Sequence, residues 1–146
     1  CKKIIAIVVT VVLLFSPMYK TYIKVIESYS SITQGDSLKA EKSADKFTKL
    51  IPEDEKDSVY CHFLYSSQWY AKAQIFPYSK YCDWTDHYIE LVPEIGEELE
   101  EMFEKNPPKW VVLKADKECP EYMKQAIKNY SVKAEEDSFV LYNLNK

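Results

Sequence analysis

Cys61 and His62, with Cys82, Asp83, Asp86 and His87 further along, bring together the side-chain types that ligate zinc. Their spacing matches no standard zinc pattern. Residues 58–65 (SVYCHFLY) read as a strand, and alternation along a strand sends Cys61 and His62 to opposite faces. The same alternation denies a Cys–His nucleophile the hydrogen-bond contact it needs. With glycine only at positions 35 and 96, a Gly-rich phosphate loop is ruled out. We therefore expect no metal, no cofactor and no catalytic residue in this chain.

A second cluster is Trp84, Asp86, His87 and Tyr88, in what reads as the loop after a second strand. In open α/β sheets ligands gather outside the carboxyl ends of strands. Aromatic rings beside a carboxylate suit a sugar or a lipid-linked acceptor, so these four are the candidate substrate-binding residues. The competing reading is a loop that packs its aromatics on the domain itself or on a neighbouring part of a larger protein.

The elements that must position these residues alternate. A helix is predicted from Asp36, with Ala40, Ala44, Phe47 and Ile51 at helical spacing and Pro52 as its stop. The strand at 58–65 is followed by a short helix over 66–76, with Ser66 as its cap and Pro77 beyond it. Residues 80–84 (KYCDW) read as a second strand. Pro93 and Glu94 open the clearest helix, in which Ile95, Leu99, Met102 and Phe103 make a buried stripe. Asn106-Pro107-Pro108 ends it, and the apolar run KWVVL over 109–113 has the character of a strand buried on both faces. Pro120 and Glu121 open a further helix burying Met123, Ala126, Ile127 and Tyr130. A hairpin of 131–134 and 138–144 closes the chain. Strands alternating with helices predict a small, mainly parallel α/β sandwich ending in a β-hairpin. Its central pair should be 59–64 beside 111–113, running parallel.

The net charge is −4 and every one of the 19 basic residues is lysine. Without arginine forks or a basic stripe, nucleic acid is excluded as a partner. Cys1, Cys61, Cys82 and Cys119 form no C-x-x-C motif. Cys61 and Cys82 sit in neighbouring predicted strands, either paired there or buried as small hydrophobes.

The N-terminus is of a different kind. Residues 4–15 (IIAIVVTVVLLF) are almost wholly apolar behind Lys2 and Lys3. Ser16-Pro17-Met18-Tyr19 makes a poor signal-peptidase site. Carried on to Ile23, the stretch has about the 20 residues of a membrane span. Tyr19 and Tyr22 would sit at headgroup level, with Lys20 and Lys24 as anchors beyond. We expect a transmembrane helix over 1–24 and an extracytoplasmic domain over 25–146. The flanking Lys2 and Lys3 favour a cytoplasmic N-terminus. The chain opens on Cys1 rather than Met, which reads as the last span and outer domain of a longer membrane protein.

From Leu50 onward an ordered set of pieces carries a family likeness. Leu50-Ile51-Pro52-Glu53-Asp54 precedes the strand SVYCHFLY, and Trp69-Tyr70, Pro77 and Tyr81 follow. Pro93-Glu94-Ile95 begins an acidic helix that leads into Asn106-Pro107-Pro108-Lys109-Trp110-Val111-Val112-Leu113, with Asn129-Tyr130 before the hairpin. This order resembles the C-terminal extracytoplasmic domain of bacterial polytopic membrane glycosyltransferases, relatives of the protein mannosyltransferases and the aminoarabinose transferase. The resemblance implies a cell-membrane location and a sugar donor carried on a polyprenyl-phosphate lipid. It implies an acceptor hydroxyl attacking the anomeric carbon at the outer face. The expected partners are membrane lipid, the rest of the transferase and, through it, donor and acceptor. The family's essential acids lie in its first external loops, which have no counterpart here. The resemblance therefore implies an accessory domain, inactive alone. The alternative is a membrane-anchored binding or scaffold domain without catalysis.

Overall fold

The computed structural model describes residues 35–83 and 85–145. The predicted span at 4–23 and the candidate Trp84 lie outside these residues. Among the described residues no helix is long and apolar enough to cross a membrane. Residues from Ser37 onward form one compact unit, and it is a mixed α/β domain.

Residues 35–47 are helical (α1). Ala40, Ala44 and Phe47, followed by Ile51, form the buried face that their spacing predicts. A 3-10 turn over Glu53–Ser58 leads into β1, Val59–His62, and then α2, Ser66–Ala73. The helices α3, Thr85–Leu91, and α4, Glu94–Lys105, precede β2, Trp110–Lys114. A Cβ on Gly96 would stand 3.4 Å from Ile89 Cγ2, an ordinary contact between α4 and α3. Two 3-10 turns, Glu121–Met123 and Ala126–Asn129, lead to the hairpin of β3, Tyr130–Glu136, and β4, Phe139–Leu144.

The strand order is β1-β2-β4-β3. β1 and β2 run parallel, with Val59 opposite Trp110 and His62 opposite Leu113. β4 lies antiparallel to both β2 and β3. Alternation then sorts the core into two layers. Val59, Cys61, Val112 and Leu141 face α1 and α2, where Trp69 and Phe47 are fully buried. Tyr60, Val111 and Leu113 face α4 and the 3-10 turns, against Leu99, Phe103 and Met123. Helices and turns thus cover both faces of the sheet.

Several expectations are corrected. The sheet is mixed rather than mainly parallel, because the predicted strand at 80–84 does not form and β2 takes the antiparallel β4 as its other neighbour. At 78–81 the chain bends locally: Ser79 Oγ accepts the N–H of Tyr81 at 3.1 Å. Such a side-chain bond competes with a strand ladder. β1 is parallel to β2 as expected, but it is the edge strand and not a central one. It ends at His62, because the chain turns through Tyr65 at φ 70°. Ser66 does not cap α2: Tyr65 holds the N-cap position without a side-chain bond. The Ser66 hydroxyl instead donates to Asp83 at 3.0 Å. The helix predicted from Pro120 breaks into two 3-10 turns, and Tyr130 belongs to β3, with its hydroxyl donating to the Pro108 carbonyl. Cys61 and Cys82 are free thiols, both packed in the α1–α2 layer.

Candidate functional site

A cleft of about 160 Å³ opens at the carboxyl end of β1. His62, Phe63 and Leu64 form one wall, Thr85, Asp86 and His87 of α3 another, and Lys117, in the turn after β2, the rim. Asp86 and His87 are thus where the sequence places candidate ligand contacts, although on a helix rather than in a loop. Tyr88, on the same helix, is half exposed and lines no part of the cleft.

Strand alternation builds the back of the cleft. It turns Cys61 into the α1–α2 core and His62 to the opposite face, beside Tyr60. His62 is 7% exposed, and both ring nitrogens are engaged. Nε2 lies 3.2 Å from Asp86 Oδ1. Nδ1 lies 2.8 Å from the Tyr122 hydroxyl, which lies 2.7 Å from that of Tyr60. Ionised Asp86 only accepts, so Nε2 carries the proton that is shared with it. In the neutral ring Nδ1 then accepts from Tyr122, and Tyr122 accepts from Tyr60. Thr85, buried on α3, lies beside the Tyr60 hydroxyl.

The electrostatics follow from this wiring. The hydrogen bond from His62, and then the charges of His62 and Lys117, hold the Asp86 carboxyl below the usual carboxylate range. Burial pushes the hydroxyls of Tyr60 and Tyr122 well above an ordinary phenol, so both keep their protons. Edge-to-face stacking of Phe103 on Tyr60 and of Tyr122 on His62 fixes the rings.

A general base must offer a free lone pair to its substrate. His62 offers none, since one nitrogen donates to Asp86 and the other accepts from Tyr122. The cleft presents a single carboxylate. Among the described residues no three His, Cys, Asp or Glu side chains are grouped to hold a metal ion. Of the zinc-like set, Cys61 is buried on the far face and Asp83 is tied to Ser66.

Sequence reasoning missed Thr85, Lys117, Tyr60 and Tyr122 as parts of the site, and weighed His62 only as a zinc ligand or the partner of a Cys nucleophile. His62 and Tyr60 carried a signal, being the alternate residues of β1 that face away from Cys61. Tyr122 is brought to His62 by the pairing of β1 with β2 and the 3-10 turn that follows β2, which no local pattern encodes. The Asn106-to-Leu113 stretch serves the fold. Lys109 Nζ and Trp110 Nε1 both donate to Glu55, at 3.1 and 2.8 Å.

Comparison with protein-family models, with curated proteins and with solved structures finds no match for this chain.

Proposed function

We propose that this chain is the accessory extracytoplasmic domain of a membrane glycosyltransferase and that its Asp86 cleft helps to hold the acceptor while catalysis resides elsewhere. The observation that carries the binding role is the Asp86 carboxylate, fixed from behind by a histidine whose nitrogens are both committed. Such a group orients a ligand, and its lowered pKa makes it a weak base. The ordered pieces from Leu50 to Tyr130 support the family reading, and the apolar run at 4–15 supports the membrane location.

The test compares the purified chain with its full-length parent, using a polyprenyl-phosphate sugar as donor. The chain alone should transfer nothing. In the parent, Asp86→Ala should weaken acceptor use and leave turnover, whereas replacing an acid of the first external loop should abolish it. Transfer by the chain alone, or complete loss in a folded Asp86→Ala parent, overturns the assignment. A second reading is a membrane-anchored binding domain without a transferase. A start codon close upstream of Cys1 favours that reading, and an open frame encoding further apolar spans favours the transferase.

A further inference from the structure

We propose that the group held in the Asp86 cleft is a single neutral ring bearing vicinal hydroxyls, one sugar unit, contacted by Asp86 and Lys117 with His62 as the positioning residue. This deepens the reading above and rests on the cleft being a ligand-holding site.

Size sets the first bound. At about 160 Å³ the cleft is far smaller than the ~300 Å³ at which sites for drug-sized ligands begin. One ring fits within it, whereas a nucleotide or an extended oligosaccharide would project beyond its walls. Phe63 and Leu64 give that ring an apolar wall for its C–H face, Leu64 being part exposed.

Charge sets the second. The cleft opposes one carboxylate, Asp86, to one ammonium, Lys117, close enough for each to feel the other. A phosphate would gain Lys117 but meet the charge of Asp86, and the chain has no arginine to offset it. An ammonium ligand would meet a carboxylate already shared with His62 and Lys117. A hydroxyl donates to a carboxylate and accepts from an ammonium, so adjacent hydroxyls satisfy both groups without adding charge.

Preorganisation is the third element. Asp86 Oδ1 is occupied by His62 Nε2, and the side chain remains 60% exposed, which leaves Oδ2 for the ligand. His62 is in turn anchored by Tyr122 and Tyr60, on a different element from α3. The carboxylate therefore waits in one orientation, as recognition of a small polar ring requires.

The experiment uses the full chain in micelles of a detergent that has no sugar headgroup. Backbone amide shifts are followed by NMR during titration with methyl hexopyranosides, inorganic phosphate, ethylammonium and glycine. A glycoside should give saturable shifts at Leu64, Asp86, His87 and Lys117. Asp86→Asn should weaken it about tenfold, the loss of one charge-assisted hydrogen bond. His62→Gln, which can place an amide N–H where Nε2–H stands, should bind near the wild-type level, and His62→Phe should lose binding as Asp86→Asn does. A merely structural histidine would not be rescued by glutamine. Lys117→Gln, on the exposed rim and away from the buried bonds, should weaken binding without touching the fold. The proposal is overturned if phosphate, ethylammonium or glycine saturates these amides more tightly than any glycoside. It is equally overturned if no glycoside saturates them up to its solubility, or if Asp86→Asn binds like the wild type. Any of these leaves the chain-versus-parent transfer assay, and the accessory-domain reading it tests, undecided by the cleft.

Discussion

The hydroxyl of Tyr70 accepts the backbone N–H of Cys61 at 2.8 Å and donates to the carbonyl of Val59 at 3.0 Å. One phenol from α2, together with the backbone N–H of Tyr78, which also donates to the Val59 carbonyl at 3.2 Å, thus takes the place of a neighbouring strand on the edge of β1. An unpaired edge invites association with other chains, and here these two groups close it. Tyr70→Phe keeps the ring and removes both bonds, leaving the N–H of a fully buried Cys61 unsatisfied. It should cost about 1–3 kcal/mol, read from urea unfolding, and speed hydrogen exchange at Cys61 above its neighbours. A change below about 0.5 kcal/mol with unchanged exchange would show that the edge needs no such closure.

What the sequence makes legible here is whatever repeats locally. Ala40, Ala44, Phe47 and Ile51 announce a helix face by period, and the run from Trp110 to Leu113 announces a strand covered on both sides. Asp86 and His87 do meet in one cleft. Competition between local and distant bonds is less legible. Tyr81 and Cys82 favour a strand by type, but Ser79 turns the chain and the Tyr81 hydroxyl donates to Glu98 on α4. The site itself needs Tyr122 beside His62, a meeting set by the register of β1 on β2 and of the turns beyond it. No spacing in the sequence contains that register.

Asp86 should leave a signature in the acid limb of stability. Its carboxyl is held below the usual range, chiefly by the hydrogen bond from His62. A depressed carboxylate stabilises the folded state above its unfolded value, near 3.9, and that contribution fades as pH falls through the lower folded value. With the side chain 60% exposed, the effect should stay below about 1 kcal/mol. The stability gap between wild type and Asp86→Asn should therefore be present at about pH 4 and close below it. Chemical denaturation at pH 4 and 2.5 measures this. A gap as large at pH 2.5 as at pH 4 would contradict the His62–Asp86 bond.

The three described thiols should separate by reactivity. Burial pushes all three up from the ordinary cysteine value, Cys61 furthest because it is fully enclosed. A thiol that rarely ionises is a poor nucleophile. In the folded chain at pH 8, iodoacetamide should label the part-exposed Cys82 and Cys119 slowly and Cys61 not at all. In urea all three should react at similar rates. Mass mapping of the labelled peptides decides, and labelling of Cys61 at the rate of Cys82 under native conditions would refute its burial.

Glu55 supplies the final case, because it explains the Lys109-Trp110 pair without recourse to a ligand. Its carboxylate sits on the 3-10 turn before β1 and receives the indole N–H of Trp110 at 2.8 Å and the ammonium of Lys109 at 3.1 Å. The N–H of Lys109 also donates to Ser58 Oγ at 2.9 Å, so the turn and the start of β2 are clasped twice. Trp110 is only 6% exposed, so its N–H has little water to fall back on. Glu55→Ala should cost about 1–3 kcal/mol, the range for a buried donor left without its partner. Glu55→Gln keeps an oxygen for the indole and loses the attraction to a half-exposed lysine, which is worth about 0–1 kcal/mol. Lys109→Met should fall with Glu55→Gln. If Glu55→Gln instead matches Glu55→Ala while Lys109→Met is neutral, the negative charge acts on the indole itself. If all three are silent, the clasp contributes nothing to the fold, and the Asn106-to-Leu113 stretch requires another explanation.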